Sequence, residues 1–267
     1  MAQKGFDYER NAHNVLKEYK ITVGDPAGAS HDKPDLSIVT QSIQTSTGCE
    51  LKISPTAAGS LVLKYYNSKW SFAEDLKGDP EKIMMRDIAT QYDLLKELNV
   101  SGPAGEKWRS KVPILQNDQA GRKILTGGIK DKRKAYEIDI QSFKGENEVH
   151  ITVPAKAICD YYNKKKTYYI NVGTHGFYLM NKIDPLKLNA KLTKKIEDFS
   201  NCTSARIRTR CQPKGGGDYQ FVMTLEFSNL RKSLYNIAPV TSQNNVTINR
   251  NAYNLADNQS LLKAFAS

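Results

Sequence analysis

The chain is poor in the residues that build metal or disulfide scaffolds. Its four cysteines, Cys49, Cys159, Cys202 and Cys211, are scattered without a C-x-x-C pair, and only four histidines accompany them. Structural zinc needs closely spaced ligands of those two kinds, so a zinc-built fold is not expected. Cys202 and Cys211 are near enough in sequence to pair, but reduced thiols in an intracellular protein are the simpler expectation. No run of eighteen apolar residues occurs, which argues against a membrane-spanning helix. The first residues, MAQKGFDYERNAHNV, lack the apolar core of a secretory signal. No internal repeat and no low-complexity tract stands out.

What is present suits a soluble α/β protein. The 267 residues, 39% hydrophobic and 25% charged, supply one large domain or two small ones. The net charge of +11 is unevenly placed. Residues 121–214 carry 20 Lys and Arg against 9 Asp and Glu, whereas the rest of the chain carries 19 of each. A positive field confined to one segment is the footprint of a polyanion partner. Nucleic acid is the expected partner, ahead of an anionic membrane surface or a merely solvated basic face.

The sharpest motif is Pro34-Asp35, separated by fourteen residues from Glu50-Leu51-Lys52. Side chains alternate along a strand, so Glu50 and Lys52 share one face while Cys49, Leu51 and Ile53 take the other and suit a core. If the chain folds Asp35 back beside Glu50, two carboxylates and one ammonium converge. Carboxylate oxygens hold Mg²⁺ without stripping all its water. Bound Mg²⁺ lowers the pKa of that water, and a neighbouring lysine can orient it or offset developing charge. Glu9 lies on a helix expected over residues 5–19, where Phe6, Ala12, Val15, Leu16 and Tyr19 form an apolar stripe. His13 shares a face with Glu9 and is read as a surface or packing residue.

Pro34-Asp35 and Glu50-Leu51-Lys52 resemble the signature of the PD-(D/E)XK, or restriction-endonuclease-like, nuclease superfamily. The resemblance covers roughly the first hundred residues, and Glu9 falls where many members place an additional helix-borne Glu. It implies a central mixed β-sheet flanked by helices, and a Mg²⁺-dependent DNA endonuclease of restriction or phage type in which Mn²⁺ can substitute. Asp35, Glu50 and Glu9 would hold the metal, and Lys52 would position or deprotonate the attacking water. Double-stranded DNA as substrate, a homodimer, and a site of action in the cytoplasm of a bacterial or phage-infected cell follow from the same resemblance. A double-stranded nucleic-acid-binding protein without catalysis is the alternative.

The later chain reads as a basic appendage. Strands are expected over 60–66 and around Trp70 and Phe72, then a helix from the Asp79-Pro80 start signal through Asn99. Residues 136–143 and 149–153 alternate and read as a hairpin. A helix is expected over 154–166, then strands at 167–172 and 176–180. Arg206, Arg208 and Arg210 recur at period two on one strand face, a row suited to phosphate or guanine unless acids such as Glu226 cross it. Lys214, Lys132 and Arg133 are further candidate DNA contacts. The Asn-rich stretch 241–256 reads as a polar tail, with Leu261, Leu262 and Phe265 docking a terminal helix. The expected division is a nuclease core over 1–120 and a strand-rich, DNA-binding region over 121–267.

Overall fold

The computed structural model describes residues 2–24, 33–40, 43–56, 59–73, 80–180, 182–240 and 256–267. In chain order they form α1 (Ala2–Glu18), β1 (Thr22–Val23), β2 (Leu36–Thr40), β3 (Ile43–Lys52), β4 (Gly59–Tyr66), β5 (Lys69–Phe72), α2 (Pro80–Gln91), α3 (Leu94–Asn99), α4 (Pro103–Arg109), β6 (Leu115–Asn117) and β7 (Lys123–Leu125). There follow α5 (Lys132–Phe143), β8 (Val149–Val153), α6 (Ala155–Lys164), β9 (Thr167–Val172), β10 (Gly176–Leu179), α7 (Leu188–Lys191), α8 (Phe199–Cys202), β11 (Ser204–Lys214), β12 (Asp218–Ser228) and α9 (Ala256–Ala266). The Asp79 helix cap and most of the polar tail lie outside the described residues. Among the described residues no helix is long and apolar enough to cross a membrane.

The chain divides into two compact units, each discontinuous in sequence. The first comprises Met1–Thr56, Pro154–Ser204 and Phe227–Ser267, and the second Ala57–Val153 and Ala205–Glu226. The expected boundary at residue 120 therefore falls inside the second unit. The reason is in the sheets. The first sheet takes β9 and β10 from beyond residue 120, and the second takes β4 and β5 from before it.

The first unit is built on a mixed sheet in the order β1-β2-β3-β9-β10. Three neighbouring pairs are antiparallel, and β3 with β9 is parallel. The β2–β3 hairpin takes in residues of the polar stretch read from the sequence as turn-like, because Ile43–Gly48 already belongs to β3. Alternation holds. Cys49 and Leu51 are buried and pack in one core with Tyr8, Ala12, Val15 and Leu16 of α1 and with Leu261, Leu262 and Phe265 of α9. The helical stripe runs through Tyr8, four residues before Ala12, rather than through Phe6, which stays 36% exposed. His13 is buried and bonds the Gly24 carbonyl through Nε2 at 3.0 Å, a packing role.

The second unit carries an antiparallel sheet in the order β5-β4-β12-β11-β8. Its inner face meets an aromatic cluster in which the rings of Trp70, Trp108, Phe143 and Phe221 stand 4.8–5.9 Å apart, mostly edge to face. Two expectations fail here. Residues 136–143 are helical, part of α5, so the 136–153 hairpin does not exist. The buried positions are Ala135, Asp139 and Phe143, spaced by four, and the core-facing Asp139 disguised that period. Asp139 accepts from the Ile114 and Leu115 amides and from the Tyr219 hydroxyl at 2.7–2.9 Å, which is why a carboxylate can sit there. The helix expected through Asn99 also breaks, because Asp93 adopts a left-handed conformation between α2 and α3.

Candidate active site

Strand β3 carries the centre of the site. Glu50 and Lys52 point the same way, and Lys52 Nζ lies 2.7 Å from Glu50 Oε1. On the other side of β3, Leu36 pairs with Cys49. One position earlier, Asp35 arrives beside Glu50, and its Oδ2 accepts from the Leu51 amide at 2.7 Å. Helix α6 closes this face, with the buried Tyr162 hydroxyl donating to Glu50 Oε1 at 3.3 Å. Glu9 on α1 completes the set, close enough to Glu50 and Lys52 to feel both charges. All four expected residues of the acid and lysine set thus gather in the first unit.

Burial, with like charge behind it, dominates the electrostatics of the cluster. Burial pushes the Glu9 carboxyl up to about 7, with Lys52 opposing the rise and Glu50 adding to it. Asp35 is raised well above the usual carboxylate range, first by burial and then by Glu50, while Lys52 and the Leu51 amide pull it down. Burial likewise raises the Cys49 thiol, with Asp35 and Glu50 behind it. Three carboxyls and one ammonium in a poorly hydrated pocket favour protonation of the acids or entry of a cation. Among the described residues, however, no three carboxyl, histidine or cysteine side chains already surround a common point where an ion would sit. Glu50 Oε1 is taken by Lys52 and Tyr162, and Asp35 Oδ2 by the backbone.

The expected DNA contacts all lie in the second unit, and the arginine row does not stand free. Arg206 and Arg208 reach opposite oxygens of buried Glu226, each at 3.0 Å, and Arg208 also meets Glu148 at 3.2 Å. Acids crossing the row are the alternative the sequence left open. Arg210 has no ion-pair partner among the described residues. Lys214 ends β11, and Lys132 and Arg133 open α5, all exposed.

Two supporting residues escaped the sequence. Tyr162 reads as one more apolar position of α6, and nothing in its spacing tells that its hydroxyl meets Glu50. Tyr8 donates to the Ala238 carbonyl at 2.9 Å and accepts from Asn171 at 2.6 Å, which ties α1, and Glu9 with it, to β9. Its place in the helical stripe was the available signal.

The chain matches no protein-family model, no curated protein and no solved structure. The resemblance to the PD-(D/E)XK nucleases accordingly rests on the motif residues themselves.

The raised Glu9 carboxyl has a measurable consequence. Its folded pKa of about 7 exceeds the reference value of 4.5, so the folded state binds more protons between those limits. Stability is therefore lost as pH rises through that window, by on the order of 1–2 kcal/mol after allowance for partial exposure. Glu9→Gln should match the wild type at pH 4.5 and exceed it by that margin at pH 8. Urea denaturation of both proteins at the two pH values checks this, and equal stabilities at pH 8 would show that Glu9 is an ordinary surface acid.

Proposed function

We propose that the protein is a Mg²⁺-dependent endonuclease that hydrolyses phosphodiester bonds of double-stranded DNA, of the restriction or phage type. One observation carries this reading: Glu9 on α1 and Asp35 before β2 come close enough to Glu50 and Lys52 of β3 for the four charges to interact. The donors are all hard oxygens, the kind Mg²⁺ prefers, and burial raises the Glu9 and Asp35 carboxyls, a cost that a bound cation would offset. Glu9, Asp35 and Glu50 would hold the ion, which when bound lowers the pKa of water and neutralises phosphate charge.

The chain's own residues account for the rest. The Lys52 ammonium, anchored on Glu50, would hold the attacking water in line with phosphorus. Water oxygen would bond to phosphorus, releasing a proton to solvent, as the phosphorus bond to the leaving sugar oxygen breaks, and the leaving oxygen would take up a proton from solvent. Tyr162 would keep Glu50 Oε1 oriented, and Tyr8 would fix the height of Glu9 along α1. Supercoiled plasmid incubated with the protein tests the proposal: nicked and linear forms should appear with Mg²⁺ or Mn²⁺ and vanish with EDTA. Intact plasmid under all three conditions would sink it.

A second reading, a duplex-binding protein without catalysis, is favoured by a different observation. Glu50 is already satisfied by Lys52 and Tyr162, and no ready-made ion cage is present among the described residues. It predicts salt-sensitive duplex binding with no cleavage.

A further inference from the structure

We propose that one corner of the second unit, where β7, the start of α5 and the β11–β12 turn meet, is the docking surface for the phosphate backbone of double-stranded DNA. The choice of DNA as the polyanion rests on the nuclease reading; the surface itself rests on the contacts and the placement of charge at that corner. The three elements are held together by specific contacts. Lys123 of β7 binds Asp218 Oδ2 at 3.1 Å and the Tyr219 carbonyl at 2.7 Å, at the first residues of β12. Tyr136 of α5 packs on Tyr219 with ring centres 5.3 Å apart, and Lys132 lies near enough to Asp218 to help lower its pKa. Lys214 flanks the same turn from the β11 side.

Lys123 is tied to Asp218 and Arg133 pairs with Glu137 at 3.3 Å, but the rest of the charge gathered there is not used by the fold. Lys130, Lys134 and Lys214 are exposed and have no carboxylate at ion-pair distance among the described residues. Lys132, Arg133 and Lys134 occupy the first turn of α5, which contains no acid, although the helix dipole favours acids there. The Asp131 side chain caps the helix by accepting from the Arg133 and Lys134 amides, so the cations are not needed for helix initiation. The turn beside them is bare: Gly215, Gly216 and Gly217 have no atom within 4 Å of where a Cβ would stand. A phosphate chain can approach such a tip closely. The arginine row differs, since Arg206 and Arg208 are committed to Glu226 and Glu148. Lys69, Lys96, Lys107 and Lys144 of this unit are also exposed without an ion pair among the described residues, but they are spread over β5, α3, α4 and the end of α5, whereas Lys130, Lys132, Lys134 and Lys214 are gathered around the one corner. A repeating anion of high linear charge density fits a multi-element cationic surface of this kind.

The test uses the full chain in EDTA and a labelled duplex about three helical turns long, with anisotropy read across roughly 50–250 mM salt. The variant Lys132→Ala/Lys134→Ala/Lys214→Ala should bind roughly 10- to 100-fold more weakly near 0.1 M salt, with the salt slope reduced by about 2–3. The control Lys164→Ala/Lys194→Ala/Lys195→Ala removes equal charge from the first unit and should change affinity less than about threefold. Equal losses in the two variants would overturn the proposal in favour of a diffuse field. So would wild-type binding to phosphatidylserine vesicles as tight as binding to the duplex. An uncut plasmid together with the expected corner loss would sink the nuclease reading and leave this surface standing. Cleavage with no corner loss would do the reverse.

Discussion

Replacing Lys52 by alanine is expected to reduce plasmid cleavage by at least about 10²-fold while leaving duplex affinity in EDTA nearly unchanged. The argument is geometric. Lys52 shares a strand face with Glu50 and holds it at 2.7 Å, so its ammonium stands where the acids converge. On the proposed mechanism, removing it deletes the cation that would orient water and offset charge at phosphorus. It also removes the neighbour that holds the Asp35 and Glu9 carboxyls down, so both should titrate higher still. The optimum for any residual cleavage should therefore move to higher pH, an outcome that simple loss of packing would not produce. Because Glu50 is only 6% exposed and would keep Tyr162 but lose its ion-pair partner, a denaturation curve must accompany the assay. Folded Lys52→Ala protein that cuts at the wild-type rate would remove the mechanism, and Tyr162→Phe offers a milder check on the same carboxylate.

The contrast between the two units explains how far the sequence could be read. Around β3 the signals agree. Alternation placed Glu50 and Lys52 on one face and Cys49 and Leu51 in the core, and Asp35 came to Glu50 through an antiparallel pairing that a strand, a turn and a strand imply. The helix at 155–164 and the strands at 167–172 and 176–179 were legible for the same reason, because each carries a clean period. What could not be read was the long-range return of the chain. Nothing local says that β9 lies parallel to β3 across more than a hundred residues, or that β4 pairs with β12. Both pairings cross residue 120, which is why a boundary set by composition fell inside a unit. At 136–143 the failure was chemical. A buried Asp139, satisfied by two amides and a tyrosine hydroxyl, broke the helical pattern of apolar residues and left an apparent alternation. At the site itself, residue types told which groups would gather, whereas the neutralising of Glu50 by Lys52 and Tyr162 depends on side-chain placement that no spacing encodes.

The largest expected effect on folding comes from the arginine row, where the same period-two spacing supports two different roles. Arg208 joins Glu148 and Glu226, two carboxylates whose side chains are 7% and 3% exposed. Arg206, with a side chain 39% exposed, holds only the second oxygen of Glu226. Arg208→Ala therefore strands Glu148 and leaves Glu226 with half its compensation, and uncompensated buried charge is what makes broken internal pairs costly. A loss of about 3 kcal/mol is expected, against less than about 0.5 kcal/mol for Arg210→Ala, which has no acid at ion-pair distance among the described residues and meets Glu148 and Glu226 only at longer range. The affinities should run in the opposite order. Arg210→Ala should weaken duplex binding and lower its salt slope by about one, whereas folded Arg208→Ala should bind nearly as the wild type does. Urea denaturation and salt-titrated binding of the two variants measure both quantities. If Arg208→Ala is as stable as the wild type and binds DNA more weakly, the acids beneath the row are bystanders and all three arginines belong to the DNA surface. If the predicted order holds, alternation of Arg with core residues in β11 serves mainly to neutralise Glu226 and Glu148 inside the sheet, and the anion-binding charge of this unit lies at its α5 corner.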